Sequence, residues 1–504
     1  MSRLRPGPAA FLAVVTVSAL LLRCWHMASR PLWLDESWSR WMTEQSWAGL
    51  GHAAIRYDTH PPFYYALLKA WTAIAPSTPA GLRGLSVLAA MAMLPLAWAA
   101  AGRIEALTRS PWARTLAVAL VAVSPPLIVA AGQARPYALF ALAFALALWA
   151  ALKLVQDSSG RPRLALWALY LAGLEATLWL HSLGALFAAS LAGGLFLASA
   201  AAGSLRRTLL PFAAVHALAA IAWLPALVIL LEQRRGWSAS SWLTFSIQRV
   251  PGDLANGLAL PGAAAWLVLL FAALGGGLLL RDRTDRPAAI LLLSAAILPA
   301  AMAISLSLLL SPIFLPRTLV PSVLPILMLV AAGLAAIDRF RRPAVAAKAI
   351  FALLAAASFT HARAAPKEQW GLLSAWLERR VGAREEIWLL PNEIILPLLY
   401  GGGTLHGVRG VPADFPAPGH PGPRPSGTRA VPGLTEAEAA RLAAEARARG
   451  LTGIWVVSRL PRLFDPGGAL PRALGPGRRD MRFAPLIVDH YRLAPTAGPA
   501  PPAR

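Results

Sequence analysis

Residues 34–65 hold the groups that proton abstraction or divalent-metal binding requires. Leu34-Asp35-Glu36-Ser37-Trp38 sets two carboxylates side by side, and Asp58-Thr59-His60-Pro61-Pro62 places an Asp and a His two residues apart. A carboxylate can take a proton from an incoming hydroxyl or amine, and Asp and His are both metal ligands. Adjacent carboxylates on a loop point different ways, so Asp35 and Glu36 are expected to differ in role. One would act as general base while the other packs against a cation or a backbone donor; the plain alternative is a charged loop or helix start. The Asp58-x-His60 spacing suits two ligands on one ion, and Pro61 and Pro62 stiffen the chain after them. Phe63-Tyr64-Tyr65-Ala66-Leu67-Leu68 reads as an amphipathic helix whose aromatics anchor it at an interface.

Four further positions stand out against their surroundings. Arg135, in Gln133-Ala134-Arg135-Pro136-Tyr137, and Arg317, after Ser311-Pro312-Ile313-Phe314-Leu315-Pro316, are basic residues on a face that otherwise lacks basic clusters. Each implies an anionic partner, either a lipid headgroup or a substrate phosphate gripped by two forked guanidinium groups. His181 ends an apolar run on the same face, and Glu175 lies inside that run. A carboxylate within a span is costly and so a functional suspect, with a hydrogen bond to a neighbouring helix as the alternative.

These residues punctuate a chain of 504 residues that is 57% hydrophobic and only 14% charged, against roughly 25% charged in an ordinary soluble domain. Apolar runs long enough to cross a hydrocarbon core recur at 8–25, 82–101, 113–131, 137–155, 164–180, 183–203, 209–230, 262–280, 287–310, 317–337 and 344–362. The expected fold is a polytopic α-helical membrane protein of about eleven transmembrane helices. With that count the clusters Arg3/Arg5, Arg103/Arg109/Arg114, Lys153/Arg161/Arg163, Arg206/Arg207, Arg281/Arg283/Arg286 and Arg339/Arg341/Arg342 fall on one side, the cytoplasm. The opposite, extracytoplasmic face then carries the 26–81 loop, Arg135, His181, the 232–261 loop, Arg317 and everything after 362. The +23 charge is accounted for by this arrangement and by membrane lipids, not nucleic acid. Cys24, the single cysteine, excludes an internal disulfide or thiolate cluster. Residues 1–25 resemble a signal peptide, but Arg23 stands where processing would want a small residue, so an uncleaved first helix is expected.

The first extracytoplasmic loop, 26–81, is long for a connector, and Trp33, Trp38, Trp41 and Trp47 predict short interfacial helices with an aromatic belt. Residues 363–494 read as a small α/β soluble domain. Its signals are helical spacing over 367–381, a strand at Glu386–Leu390, a capping box at Thr435-Glu436-Ala437-Glu438 opening a helix that Gly450 ends, and strands at Gly453–Ser458 and 485–493. The Pro/Gly-rich 401–433 stretch is expected to be irregular and the 495–504 tail disordered.

The ordered set Asp35-Glu36, Asp58-x-His60-Pro61-Pro62-Phe63-Tyr64-Tyr65, Gln133-Ala134-Arg135-Pro136-Tyr137, His181 and Phe314-Leu315-Pro316-Arg317 resembles the bacterial branch of the GT-C glycosyltransferases. That branch is related to protein O-mannosyltransferases and to the aminoarabinose transferase that modifies lipid A. The likeness covers residues 8–362 and, more loosely, the C-terminal domain; the order of the motifs is more specific than any one of them. It implies a GT-C-like catalytic module at 1–362 and an inverting enzyme of the inner (plasma) membrane. The donor would be a polyprenyl-phosphate sugar, hexosyl or pentosyl, reached from the extracytoplasmic face, and the acceptor a lipid, glycan or protein. The resemblance places the catalytic carboxylate at Asp35 with Glu36 beside it, and turns Arg135 and Arg317 toward the lipid-linked phosphate. It puts Asp58, His60 and His181 in or near the site, where some relatives bind a divalent cation. Relatives often read Gln-Glu-Ala-Arg where this chain has Gly132-Gln133-Ala134-Arg135; the missing Glu leaves a metal open. The phosphate leaving group supplies the driving force, so no nucleotide is needed. The rival readings are a transporter or flippase of lipid-linked sugars, which would need polar groups near the midplane, and a non-catalytic envelope assembly protein.

The charge pattern gives a direct test of topology. Reporter fusions after residues 207 and 284 are expected to read cytoplasmic, and fusions after 60 and 370 extracytoplasmic. A cytoplasmic readout at 60 would separate the carboxylates from the arginines and end the shared-face reading.

Overall fold

An apolar run in hydrocarbon must pair its own backbone groups, and helices do so without outside partners. In the computed structural model of the chain, eight helices are long and apolar enough to cross a membrane: Pro79–Ala101, Tyr137–Val155, Gly184–Ala201, Leu205–Gln233, Gly262–Arg281, Arg286–Leu309, Pro316–Ile337 and Val345–Arg363. A ninth candidate is the pair Pro111–Ala122 and Pro125–Ala131, bent by 47°, and two shorter apolar helices are Pro8–Cys24 and Leu164–Leu180. Together these occupy all the stretches expected to span, in a multi-pass membrane protein. The structure describes residues 7–25, 27–156, 163–237, 243, 245–260, 262–337, 343–364, 368–402, 405–415, 434–480 and 482–493. The clusters Arg3/Arg5 and Arg339/Arg341/Arg342, Arg161, most of the 401–433 stretch and the 495–504 tail lie outside them.

The chain divides into two units: Met1–Met27, Thr59–Leu231 and Leu243–Ala364 in the first, Ala28–Asp58, Glu232–Trp242 and Ala365–Arg504 in the second. Within the first, the break in the bent pair follows from Pro125-Pro126, which cannot donate and which disfavour helix at the preceding residue. The carbonyls freed there are recaptured. Arg23 donates through Nη1 to the Ala122 carbonyl at 2.8 Å, and Ser358 Oγ donates to Val123 O at 2.7 Å. Both side chains are buried. Two of the basic clusters meet on one side of this unit: Arg109 pairs with Asp282 at 3.1 Å, and Asp285 accepts from the Glu105 and Ala106 amides at 2.7 and 2.8 Å.

The second unit carries a five-stranded sheet of β1 (Glu385–Leu390), β2 (Val408–Gly410), β3 (Gly453–Ser458), β4 (Gly477–Asp480) and β5 (Ile487–Arg492), in the order β2-β1-β3-β5-β4. β1 runs parallel to β2 and β3, while β5 pairs antiparallel with β3 and β4. Trp388, Leu390, Ile454 and Val456 pack against Leu442, Ala443 and Ala446 of helix Glu436–Ala448. That helix opens on the expected capping box: Thr435 Oγ accepts from the Glu438 amide at 3.2 Å, and Glu438 Oε2 accepts from the Thr435 amide at 2.9 Å. The Thr435 hydroxyl also donates to Glu438 Oε2 at 2.6 Å, and this bond first, then the amide's, holds the Glu438 carboxyl below its usual range. Gly450, at φ +72°, turns the chain out of the helix. β2 falls in a stretch expected to be irregular, and β4 carried no strand signal. Both are short edge strands (Val408-Arg409-Gly410 and Gly477-Arg478-Arg479-Asp480), formed by backbone pairing to a neighbour rather than by their own side-chain pattern.

Helices Leu34–Glu44 and Trp47–Tyr57 also belong to the second unit. Trp33, Trp38 and Trp41 are buried there, with Trp38 and Trp41 packed at 5.0 Å and both against Phe415 at 5.5 and 5.7 Å. Of the four tryptophans expected in a belt, Trp47 alone is exposed. Helical spacing puts 34, 38 and 41 on one face, which packs into protein.

Close helix packing in the first unit depends on small residues. A Cβ at Gly275 would lie 1.9 Å from Leu329 O, and one at Gly333 would lie 2.4 Å from Phe271 O, so helices Gly262–Arg281 and Val323–Ile337 meet backbone to backbone. Gly277 faces open space. Gly275→Val is expected to cost about 1–3 kcal/mol or more through overpacking and to lower the unfolding temperature in detergent, whereas Gly277→Val leaves it unchanged. Equal midpoints for the two variants would refute the close-packing argument.

Candidate active site

The residues singled out for chemistry divide between the units. Asp35, Glu36 and Asp58 lie in the second; His60, Arg135, His181 and Arg317 lie in the first.

Asp35 and Glu36 occupy the first turn of helix Leu34–Glu44, where the helix dipole favours negative charge. Successive helical positions diverge by about 100°, so the two carboxylates do point apart. Glu36 is 1% exposed while Asp35 is only half-buried. Of the two, Asp35 is the less buried. The residue before the helix, Trp33, has no side-chain oxygen to cap it, and the Leu34 amide donates instead to Glu368 Oε2 at 3.1 Å. At the other end, Tyr400 donates to Glu44 Oε2 at 2.5 Å and the Arg40 guanidinium stacks 4.1 Å above the Tyr400 ring. Burial, and then the Glu44 carboxylate, push the Tyr400 phenol well above its usual value, so it remains a donor. Asp58 ends helix Trp47–Tyr57, and its Oδ2 accepts from Trp38 Nε1 at 2.5 Å, tying the two helices together.

In the first unit, helix Tyr137–Val155 starts and helix Leu164–Leu180 ends at one rim. There His181 is 2% exposed, stacked on Phe140 at 5.0 Å, edge-on to His60 at 4.8 Å and 5.8 Å from Tyr137. Arg317, exposed, reaches the same place from its own turn, its guanidinium carbon 6.0 Å from the Tyr137 ring centre. The turn is pinned by Ser307 Oγ, which accepts from the Ile313 and Phe314 amides at 3.0 and 2.8 Å. Arg135 is 5% exposed and donates through Nη1 to the Tyr65 hydroxyl at 3.3 Å, while Ser86 Oγ fixes the preceding turn at Gln133 O, 2.7 Å away. The aromatics Tyr65 and Tyr137 thus join the basic residues directly; sequence alone marks the first as an anchor and the second only as part of a motif. Glu175 lies within helix Leu164–Leu180, and among the described residues its buried Oε1 has no hydrogen-bond partner.

Among the described residues no group of three or more His, Cys, Asp or Glu side chains is arranged to hold a metal ion. His181 Nδ1 accepts from the Leu183 amide at 3.1 Å, and its ring stands edge-on to His60. Asp58 lies in the second unit.

No family model and no curated protein sequence matches the chain, but solved structures do. ArnT from Cupriavidus metallidurans in the apo state superposes with a TM-score of 0.61 at 13% identity, covering 96% of this chain and 98% of that one. The same protein bound to undecaprenyl phosphate gives 0.59 at 13% identity, covering 98% and 100%. The Archaeoglobus fulgidus oligosaccharyltransferase in complex with Zn and sulfate gives 0.53 at 13% identity, covering 94% of this chain and 71% of that one. Both proteins are GT-C glycosyltransferases, and the chain has their fold.

Proposed function

On a GT-C fold, we propose that this chain is an inverting glycosyltransferase. It moves a hexosyl or pentosyl group from a polyprenyl-phosphate donor to a lipid, glycan or protein acceptor. The work is done at the extracytoplasmic face of the inner membrane. The observation that carries this reading is the convergence of His60, His181, Tyr137 and Arg317 at one rim of the membrane-spanning unit, with Arg135 two residues from Tyr137. The undecaprenyl phosphate held by the like-folded ArnT supports a lipid-linked phosphate as the donor's leaving group.

The chemistry follows from charge. The acceptor oxygen or nitrogen attacks the anomeric carbon from the face opposite the phosphate. The C–O bond to phosphate breaks, its electron pair leaves with the lipid phosphate, and the acceptor's proton goes to a carboxylate. Asp35 takes that proton, being reachable where Glu36 is buried. Arg135 and Arg317 meet the negative charge that grows on the phosphate oxygens, and they act most strongly where water is scarce. The unit holding the sheet is assigned to the extracytoplasmic side together with the site.

Two variants test the assignment of roles. Asp35→Asn should insert and express normally yet lower the transfer rate by a factor of about 10² or more, as expected for an acid–base group. Near-normal turnover would move the role to Glu36 or Asp58. For Arg317, replacement by Lys keeps the charge but loses the fork that grips two phosphate oxygens. Initial rates against donor concentration should therefore fall clearly for Arg317→Lys and nearly vanish for Arg317→Ala. A residue that merely snorkels to lipid headgroups would tolerate Lys and lose little as Ala; that outcome would sink the phosphate clamp.

A further inference from the structure

The acidic helix does not hold itself in place. Its leading residue offers no capping oxygen, and helix ends without partners are costly when buried. The cap comes from 334 positions away in sequence: Glu368, itself 3% exposed, accepts from the Leu34 amide at 3.1 Å through Oε2. The same oxygen accepts from Trp370 Nε1 at 2.7 Å, and Oε1 accepts from Arg459 Nε at 2.7 Å. Arg459 follows the last residue of β3, and its amide donates to Leu390 O, the end of β1, at 2.8 Å. Three segments thus converge on one carboxylate: the start of the acidic helix, the start of helix Trp370–Glu378 and the ends of the two central parallel strands.

We infer that Glu368 is a positioning residue that fixes the helix carrying Asp35, and that the C-terminal α/β domain serves as the rigid mount of that carboxylate. This rests on the reading of Asp35 as the base. The geometry is well suited to it. Leu34 immediately precedes Asp35, so the bond to Glu368 sets where the first turn begins and hence the direction of the Asp35 side chain. Arg459 supplies the countercharge that lets a carboxylate be buried there, and the sheet sets where Arg459 stands. The Tyr400–Glu44 bond and the packing of Trp38 and Trp41 on Phe415 hold the rest of the helix against the same domain. Fixed at both ends, the helix resists rotation about its axis. A catalytic group displaced by about 1 Å can lose about a hundredfold in rate.

The test uses the full-length protein in detergent or nanodiscs, with Glu368→Ala and Glu368→Gln. Gln keeps the shape and one acceptor oxygen. Amide hydrogen exchange over 34–37 should quicken in Glu368→Ala while β1 and β3 keep their protection. The rate constant kcat should drop by about ten- to a hundredfold with donor KM little changed, because positioning acts on the reacting complex rather than on donor binding. Glu368→Gln should fall between Ala and wild type in both readouts, and it carries the test alone if the Ala variant does not fold. Unchanged exchange at 34–37 would overturn the anchoring. Faster exchange spread evenly over the sheet, or a raised KM with kcat intact, would reduce Glu368 to a general stabiliser and overturn the positioning role. Measured alongside, a fully active Asp35→Asn variant would instead show that the base assignment had failed, leaving the exchange data to decide on Glu368.

Discussion

Hydrocarbon cannot hydrogen-bond to a peptide group, and the architecture of the first unit follows from that one constraint. It forces the apolar runs into helices. It also dictates what must happen where a helix cannot continue, as at Val123-Ser124-Pro125-Pro126, whose freed carbonyls are met by the buried Arg23 and Ser358 side chains. An arginine in the first helix that looks out of place in the sequence is thus a structural donor. The same constraint drives polar chemistry to the helix ends, where irregular backbone is tolerated. His181, Arg135 and Arg317 all sit at such ends, on short turns pinned by serine hydroxyls and backbone amides rather than within spans.

Aromatic rings do much of the arranging at that rim. Phe140 and His60 bracket the His181 imidazole, the Leu183 amide donates to its Nδ1, and Tyr137 lies within 6.0 Å of the Arg317 guanidinium carbon and 5.8 Å of the His181 ring. Flat apolar faces with electron-rich centres can order cations and imidazoles without neutralising them.

The acidic segment obeys different physics. It is part of a water-compatible α/β unit, and its tryptophans, which read as membrane-interface anchors, fill a protein core with Phe415. The carboxylates gain a helix N-terminus, a buried anchor in Glu368 and unequal exposure. A single carboxylate pair thereby becomes one accessible group and one buried group without any difference in local sequence.

The spans were legible in the chain because a run of about twenty apolar residues has one stable form in a bilayer. So was helix Glu436–Ala448, whose capping box and terminal Gly450 are local signals that need no tertiary help. The ordered motifs also marked Asp35, His60, Arg135, His181 and Arg317 as residues to watch, by charge and position alone. What the sequence could not contain was any contact between distant segments. Glu368 belongs to no motif, and only folding brings it to Leu34; β2 and β4 are strands only because β1 and β5 lie beside them. Exposure, too, is a property of packing. Asp35 and Glu36 are chemically near-identical neighbours, and nothing short of the tertiary structure could decide which of them is the more deeply buried.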